Sequence, residues 1–316
     1  MSKNIKKLTF LLALILIFTT ILVACSPADE ESIDIKVMEV THSLFYTPQY
    51  VALTQGFFEE EGLNIELIDG KGADKVMAAL ISGEVEIGFM GPEASVYIYN
   101  QGRDNYAINF IQLTQRDGSF LVSREPDKDF TWDKVKGKEV LGGRKGGMPL
   151  MTLEYVIKEH GMQIPEDLDV RTDVQFDVLA GAFVGGEGDY VSLFEPVASN
   201  LEKEGQGYVV ASIGEAGGYI PYTAYSATKE YIEENDSPTI AQAVLPQFPE
   251  TDIYVLEALI DRYKDQDSWK PDLIITEEGL DRMMDIMEEA GELDQRADYD
   301  AIVTTEFAEQ AMKNIE

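Results

Sequence analysis

The stretch Val140-Leu141-Gly142-Gly143-Arg144-Lys145-Gly146-Gly147-Met148-Pro149 runs on as Leu150-Met151-Thr152-Leu153-Glu154-Tyr155-Val156-Ile157-Lys158-Glu159-His160-Gly161. It reads as the end of a short buried strand, a glycine loop and a helix. Pro149 suits the first helical turn, where its missing N–H is not needed. Leu150, Leu153 and Ile157 recur at helical spacing, and Gly161 is a C-terminal stop. A glycine loop feeding a helix leaves backbone N–H groups free at the positive end of the helix dipole, and Arg144 and Lys145 add positive charge there. Two readings follow from the stretch alone. It is a cradle for a polar or anionic group, or a tight turn whose glycines serve only backbone geometry and whose cations are solvated.

Working outward, the same progression occurs about a hundred residues earlier, a spacing far longer than that of solenoid repeats. Ile33–Val40 alternates and predicts a strand, His42–Pro48 a loop at its C-terminal end, and Gln49–Gln55 a short helix closed by Gly56. Phe57–Gly62 reads as a turn, Leu63–Ile68 as a strand, and Lys75–Ser82 as a helix capped by Asp74 and ended by Gly83. Val85–Met90 is a buried strand, followed by Gly91-Pro92-Glu93. In the later copy Tyr155–Gly161 answers Tyr50–Gly56, Leu168–Val170 answers Leu63–Ile65, and Gly186–Tyr190 answers Gly83–Ile87. Glu195-Pro196 falls near Pro92-Glu93, and the Val140 strand end precedes its loop as the first strand precedes His42. This ordered series predicts two related α/β lobes with mainly parallel sheets. Ser119–Ser123 and Ile220–Ala227 alternate and are the candidate interlobe crossings. Beyond them the pattern is helical: Ile253–Tyr263, a Thr276-capped helix with Leu280, Met283, Met284 and Met287 on one face, and Thr305–Met312.

Composition bounds the rest. The 316 residues are 45% hydrophobic and 10% aromatic, enough for one large or two medium domains. The net charge is −33. Loss of residues 1–24, which carry Lys3, Lys6 and Lys7 and no acid, would leave the chain more acidic still. Such a surface repels nucleic acid and bare anionic membranes, so no nucleic-acid partner is expected.

The N-terminus reads as a targeting segment, with a basic start and an apolar run from Leu8 to Val23, short for a spanning helix. It ends in Leu22-Val23-Ala24-Cys25, which resembles the bacterial lipoprotein signal. That resemblance implies that residues 1–24 are removed and that Cys25 is lipidated and heads a polar tether over residues 25–33. Cys25 is the only cysteine. The remainder therefore has no disulfide, thiol nucleophile or cysteine-based metal site.

Taken together, TPQYVALTQGFFEEEGLNIELI, GEVEIGFMGPE, VKGKEVLGGRKGGMPLMTLEYVIKEHG, GEGDYVSLFEPVA and GYIPYTAYSAT resemble the extracytoplasmic solute-binding proteins of ABC importers. The nearest branch is the nitrate/sulfonate/taurine and thiamine-pyrimidine type. The resemblance covers Ile35 to Thr228, and the C-terminal third fits by helical character. It implies a type II periplasmic-binding-protein fold. Lobe one would span residues 34–120 plus 225–316 and lobe two residues 121–224, with two crossing strands and the ligand in the cleft between. It implies a monomer held on the extracytoplasmic face of the membrane by Cys25, working with an ABC permease and its ATPase.

A cleft at the carboxyl ends of parallel strands is also the physical expectation for α/β sheets. Four loops of the sequence lie at such ends: His42–Tyr46, Gly91–Glu93, Gly143–Met148 and Phe194–Pro196. The candidate ligand contacts are Ser43, Phe45, Tyr46, Gly91, Glu93, Arg144, Gly146, Gly147, Phe194, Glu195 and, from the second crossing, Tyr222. The aromatics offer flat apolar faces. Glu93 and Glu195 suit the N–H donors of an amino-heterocycle, and Arg144 with the Gly146-Gly147 amides suits an oxygen-rich group. A thiamine-pyrimidine-like or flavin-like solute follows. A sulfonate, taurine or nitrate is the alternative of the same importer class.

No cofactor, metal or catalytic residue is expected. The related pyrimidine synthases use a bound cofactor, a histidine and a cysteine-rich metal motif, and here Cys25 is already committed. An enzyme or a solute sensor on the same fold is the further alternative. His42 and His160 offer neither a Ser-His-Asp order nor His-x-x-x-His spacing. Asp127–Asp133 lacks the turn glycine and closing Glu of a calcium loop. His42 reads as a loop residue at the cleft edge, and His160 as a cation at a helix C-terminus.

Overall fold

The computed structural model describes residues 32–60, 62–234, 262–263 and 265–315. The signal segment, Cys25 and all of the tether before residue 32 lie outside the described residues. So does the Ile253–Tyr263 helix, apart from Arg262 and Tyr263. The chain from Asp34 onward forms one compact unit, described below.

In chain order the first elements are β1 (Ile33–Glu39), α1 (Thr47–Thr54), α2 (Phe57–Glu60), β2 (Leu63–Asp69), α3 (Ala73–Ser82), β3 (Ile87–Met90), α4 (Glu93–Asn100) and β4 (Ala107–Thr114). The chain then passes into β5 (Ser119–Ser123), β6 (Glu139–Leu141), α5 (Met148–Glu159), β7 (Asp169–Arg171), α6 (Leu179–Val184), β8 (Tyr190–Phe194), α7 (Val197–Glu204), β9 (Tyr208–Ser212) and α8 (Ile213–Gly217). It returns through β10 (Thr223–Thr228) to α9 (Lys229–Glu234), α10 (Glu277–Glu289), α11 (Tyr299–Ile302) and α12 (Glu306–Ile315).

Two five-stranded sheets result, in the orders β2-β1-β3-β10-β4 and β7-β6-β8-β5-β9. The orders correspond position by position, with β2 answering β7, β1 answering β6 and β3 answering β8. That is the correspondence expected from the repeated stretches. Within them β1 is parallel to β3, and β6 is parallel to β7 and β8.

One strand in each sheet runs the other way. β10 is antiparallel to β3 and β4, and β5 to β8 and β9. Each reversed strand arrives from the other lobe. It enters at the cleft end, where Ser119 pairs with Phe194 and Ala224 with Met90, and so must run against its neighbours. This corrects the reading of Ser119–Ser123 and Ile220–Ala227 as crossings. β5 and most of the second stretch are interior strands, and β5 is buried at every residue. The crossings are the residues just ahead, 115–118 and 218–222.

Local chemistry accounts for the elements that carry the site. In α5, Gly147 is the N-cap and Pro149 sits in the first turn. Leu150, Leu153, Val156 and Ile157 are buried, and Gly161 follows the helix at φ 77. In α3 the expected cap is displaced. The helix starts at Ala73 with Gly72 as N-cap and no side-chain cap bond. Asp74 lies inside the first turn, where a carboxylate still complements the dipole, and its side chain points to another partner.

The core of lobe one gathers Phe89, Phe110 and Tyr225 with the C-terminal Leu280, Met283, Met287 and Phe307, as the helical face from Thr276 predicts. Lobe two buries one cluster on each face of its sheet. Leu121 and Val140 belong to one and Val122 and Leu141 to the other, the alternation of strands covered on both sides. Each fully buried aliphatic or aromatic side chain contributes about 1.5–3 kcal/mol.

Candidate ligand cavity between the lobes

The loops that follow β1, β3, β6 and β8 converge on a cavity of about 420 Å³. That is the size range of small-molecule sites. Lobe one supplies His42, Ser43, Tyr46, Gly91 and Glu93. Lobe two supplies Gly143, Arg144, Gly147, Met148, Phe194 and Glu195, and the return crossing supplies Tyr222. Of the sequence-predicted contacts, all but Phe45 and Gly146 border this space. A second cavity of about 330 Å³ adjoins the crossings beside Gln115, Tyr219 and Lys270. There the Gln115 amide is spent on the Asp267 and Trp269 carbonyls, so it offers fewer free groups.

Glu93 is the most unusual wall residue. It opens α4, is 4% exposed, and its Oε2 has no hydrogen-bond partner. Gly91 makes room for it, since a Cβ at that position would collide with its carboxyl oxygens. Burial pushes the carboxyl up to about 7. Its own backbone amide, the Arg144 charge and the Met148 amide act in the opposite direction. The tyrosines facing it, Tyr46, Tyr97 and Tyr222, are all raised by burial and stay neutral.

Arg144 reaches across the cleft, and its Nη2 donates to Asp74 Oδ1 at 2.8 Å. Gly147 is the N-cap of α5, whereas Gly146 turns the loop at φ 78 away from the cavity. Ser43 Oγ donates to the Glu195 carbonyl at 2.9 Å, a second bond between lobes, and accepts from the Phe45 N–H.

Phe45 lies behind the wall with no exposed surface. It packs against Phe194, Tyr222 and Tyr263, and its carbonyl accepts from Trp269 Nε1 at 2.9 Å. It therefore supports the wall aromatics. Glu195 borders the cavity, but both its oxygens are engaged. They accept from the Ser199 N–H and Oγ and from Arg262. Tyr222 is buried and its hydroxyl has no partner. Asp117 stands close enough to raise the phenol further, after burial itself.

Several wall residues were absent from the sequence expectation. Lys71 and Asp74 follow β2, and Gln175 and Phe176 follow β7. Their signal was available, because these are further strand-end loops of the same two sheets. His42 borders the cavity, with Nδ1 2.8 Å from Glu39 Oε1. Glu39 is buried and also accepts from Gln49 and Tyr50. Among the described residues no cluster of three or more His, Cys, Asp or Glu could hold a metal, and no helix is long and apolar enough to cross a membrane.

Comparison with known proteins places this architecture. The aliphatic sulphonate-binding protein SsuA of Escherichia coli superposes with a TM-score of 0.64 at 16% identity, over 90% of this chain and 100% of its own. At that identity the likeness shows the fold alone, a two-lobed periplasmic-binding-protein fold. YtlA of Bacillus subtilis (strain 168), provisionally named a binding protein, is 41% identical over 93% of this chain and 94% of its own length. The 4-amino-5-hydroxymethyl-2-methylpyrimidine phosphate synthase of Aspergillus parasiticus is 26% identical over 40% of this chain and 36% of its own. The family profile described as NMT1/THI5 like matches residues 45–245, the span from the first cleft loop past the return strand. The chain belongs to the NMT1/THI5-like family.

Proposed function

We propose that the protein is the solute-binding component of an ABC importer, which captures a small polar heteroaromatic solute between its lobes and delivers it to a membrane permease. The observation that carries this reading is the wall itself: aromatic faces from Tyr46, Phe176, Phe194 and Tyr222 around a buried Glu93 carboxyl whose Oε2 lacks a partner. Aromatic faces around an unpartnered, buried carboxyl oxygen suit a flat ring that brings an N–H donor. A thiamine-pyrimidine-like or flavin-like ring has that form. The reading of YtlA as a binding protein supports binding rather than catalysis. The synthase likeness covers under half of either chain. Lipid on Cys25 would hold the monomer on the extracytoplasmic face, within reach of the permease and its ATPase.

A second reading has its own support. The N-terminus of α5 and Arg144 face the cavity, and the fold is shared with a sulphonate-binding protein. A sulfonate, taurine or nitrate is the solute on that reading.

A thermal-shift screen of the full chain in mild detergent tests both. A ligand at about a hundred times its dissociation constant adds roughly 2.7 kcal/mol of stability. Pyrimidines and flavins should shift the melt. A shift with taurine or nitrate and none with ring compounds would replace the first reading with the second. Unmodified mass at Cys25 in the membrane fraction would remove the anchor.

A further inference from the structure

Helix α5 runs for 12 residues from Gly147 as N-cap, and Met148, Pro149 and Leu150 border the cavity. Pro149 has no N–H, and the Met151 N–H is already bonded to the Gly147 carbonyl at 3.2 Å. The Met148 and Leu150 amides are thus the end groups of the helix on the cavity side, with Arg144 beside them. Such an end draws a carboxylate, sulfonate or phosphate. Here the opposite lobe already provides one. The Glu93 carboxyl, nine-tenths and more buried, lines the same cavity as Met148 and Arg144, and the Met148 amide and the Arg144 charge both favour its ionised form. Gly91 lets it fold into that position, and its Oε2 is left without a partner.

We infer that Glu93 is a specificity-determining residue that fills the anion-receptive end of α5 with the protein's own carboxylate, so that the cavity rejects anionic solutes and takes a neutral or cationic N–H donor against Oε2. The inference rests on the reading of this cavity as the solute site, and it assigns the two halves of the wall opposite tasks. The helix end, beside the Arg144 charge, holds Glu93. Glu93 holds the solute. A free sulfonate or nitrate would have to share the Met148 amide with a like charge beside a carboxyl that is itself only 4% exposed, where repulsion is poorly screened. A donor such as an exocyclic amine meets an acceptor that has nothing else to bind.

Calorimetric titration of the full chain in mild detergent tests this, at about pH 8.5 so that the carboxyl is ionised. The probes are taurine, methanesulfonate, nitrate and 4-amino-5-hydroxymethyl-2-methylpyrimidine, applied to the wild type, Glu93→Gln, Glu93→Ala and Glu93→Ala with Arg144→Ala. Glu93→Gln keeps the side-chain volume, so the fold survives even where alanine leaves a cavity. The wild type should take up no anion. Both single variants should gain at least tenfold in affinity for one anion or more, and the double variant should lose that gain. Anion binding by the wild type equal to that of the variants would overturn the inference, as would no gain in Glu93→Gln. The outcomes separate from those of the solute reading. Failure of the pyrimidine to bind the wild type, with anions captured by the variants, sinks the heteroaromatic reading and leaves the Glu93 role standing. Pyrimidine binding with no anion gain sinks the Glu93 role alone.

Discussion

Arg144 Nη2 and Asp74 Oδ1 meet at 2.8 Å across the cleft, one from each lobe. The pair is exposed, with 36% and 59% of the two side chains in water. Its worth to folding is therefore about 0–1 kcal/mol. Its effect on lobe separation is one share of a set of bonds between the lobes that includes Ser43–Glu195 and Lys158–Glu289. Asp74→Ala should leave the melting temperature within a few degrees and raise the open population up to about fivefold, the ratio that about 1 kcal/mol supports. Small-angle scattering of the ligand-free chain reads this directly. An unchanged scattering profile would mean that the pair is incidental.

Glu195 and Arg262 form a different kind of pair. The carboxylate is fully buried and also accepts twice from Ser199, while Arg262 keeps 33% of its side chain exposed. Removing one partner strands the other charge, which costs about 3–5 kcal/mol in fully buried pairs. With Arg262 partly hydrated, Glu195→Ala should cost about 2 kcal/mol in urea unfolding. A cost indistinguishable from zero would show that the bond network around Ser199 carries no stability.

The pH dependence follows from Glu93. Its folded pKa of about 7 lies above the ordinary 4.5. Between those values the native state holds a proton that the unfolded state has released, so stability falls as pH rises through this window and levels off above it. Asp117, raised by burial to about 6 from 3.8, acts in the same direction over its own lower window. Glu93→Gln should remove its share, up to about 3 kcal/mol between pH 5 and 8. Urea midpoints of wild type and variant measure it. Parallel profiles would place Glu93 in contact with water.

Gly91→Ala moves the same carboxyl without deleting it. The added Cβ collides with the Glu93 carboxyl group, which sits at the end of a flexible side chain and can rotate away. Overpacking of this kind costs about 1–3 kcal/mol. The variant should also lose affinity for an N–H-donating solute, because the carboxyl is displaced. Wild-type affinity in Gly91→Ala would show that the position of the carboxyl is unimportant.

The periodic features of the sequence carried most of the fold. Leu63–Ile65 and Leu168–Val170 became β2 and β7, which hold the same edge in two sheets of one order. The reversed strands were misplaced because alternation looks the same in a crossing and in an interior strand. Only pairing partners distinguish them, and those lie far along the chain. The site divided in a similar way. Strand-end logic reached Ser43, Tyr46, Glu93 and Arg144, but it could not separate Phe45 from its neighbour. A one-residue step along a short turn decides which ring faces the cavity and which supports it. Asp74 read as a cap because its position fits that pattern two residues later. Its partner Arg144 lies 70 residues away, beyond any local signal.

The strand order has a consequence for how the chain comes into being. In the first sheet β4 has β10 as its partner, and β10 is residues 223–228. Lobe two, from β5 to β9, is contiguous and can complete while the chain is still emerging. Lobe one cannot. Until about two-thirds of the sequence has been delivered, β4 keeps a bare hydrogen-bonding edge and the Phe89–Tyr225 stack has only one ring. Bare edges invite pairing with other chains, so a nascent copy is most vulnerable during the interval in which its second lobe folds first.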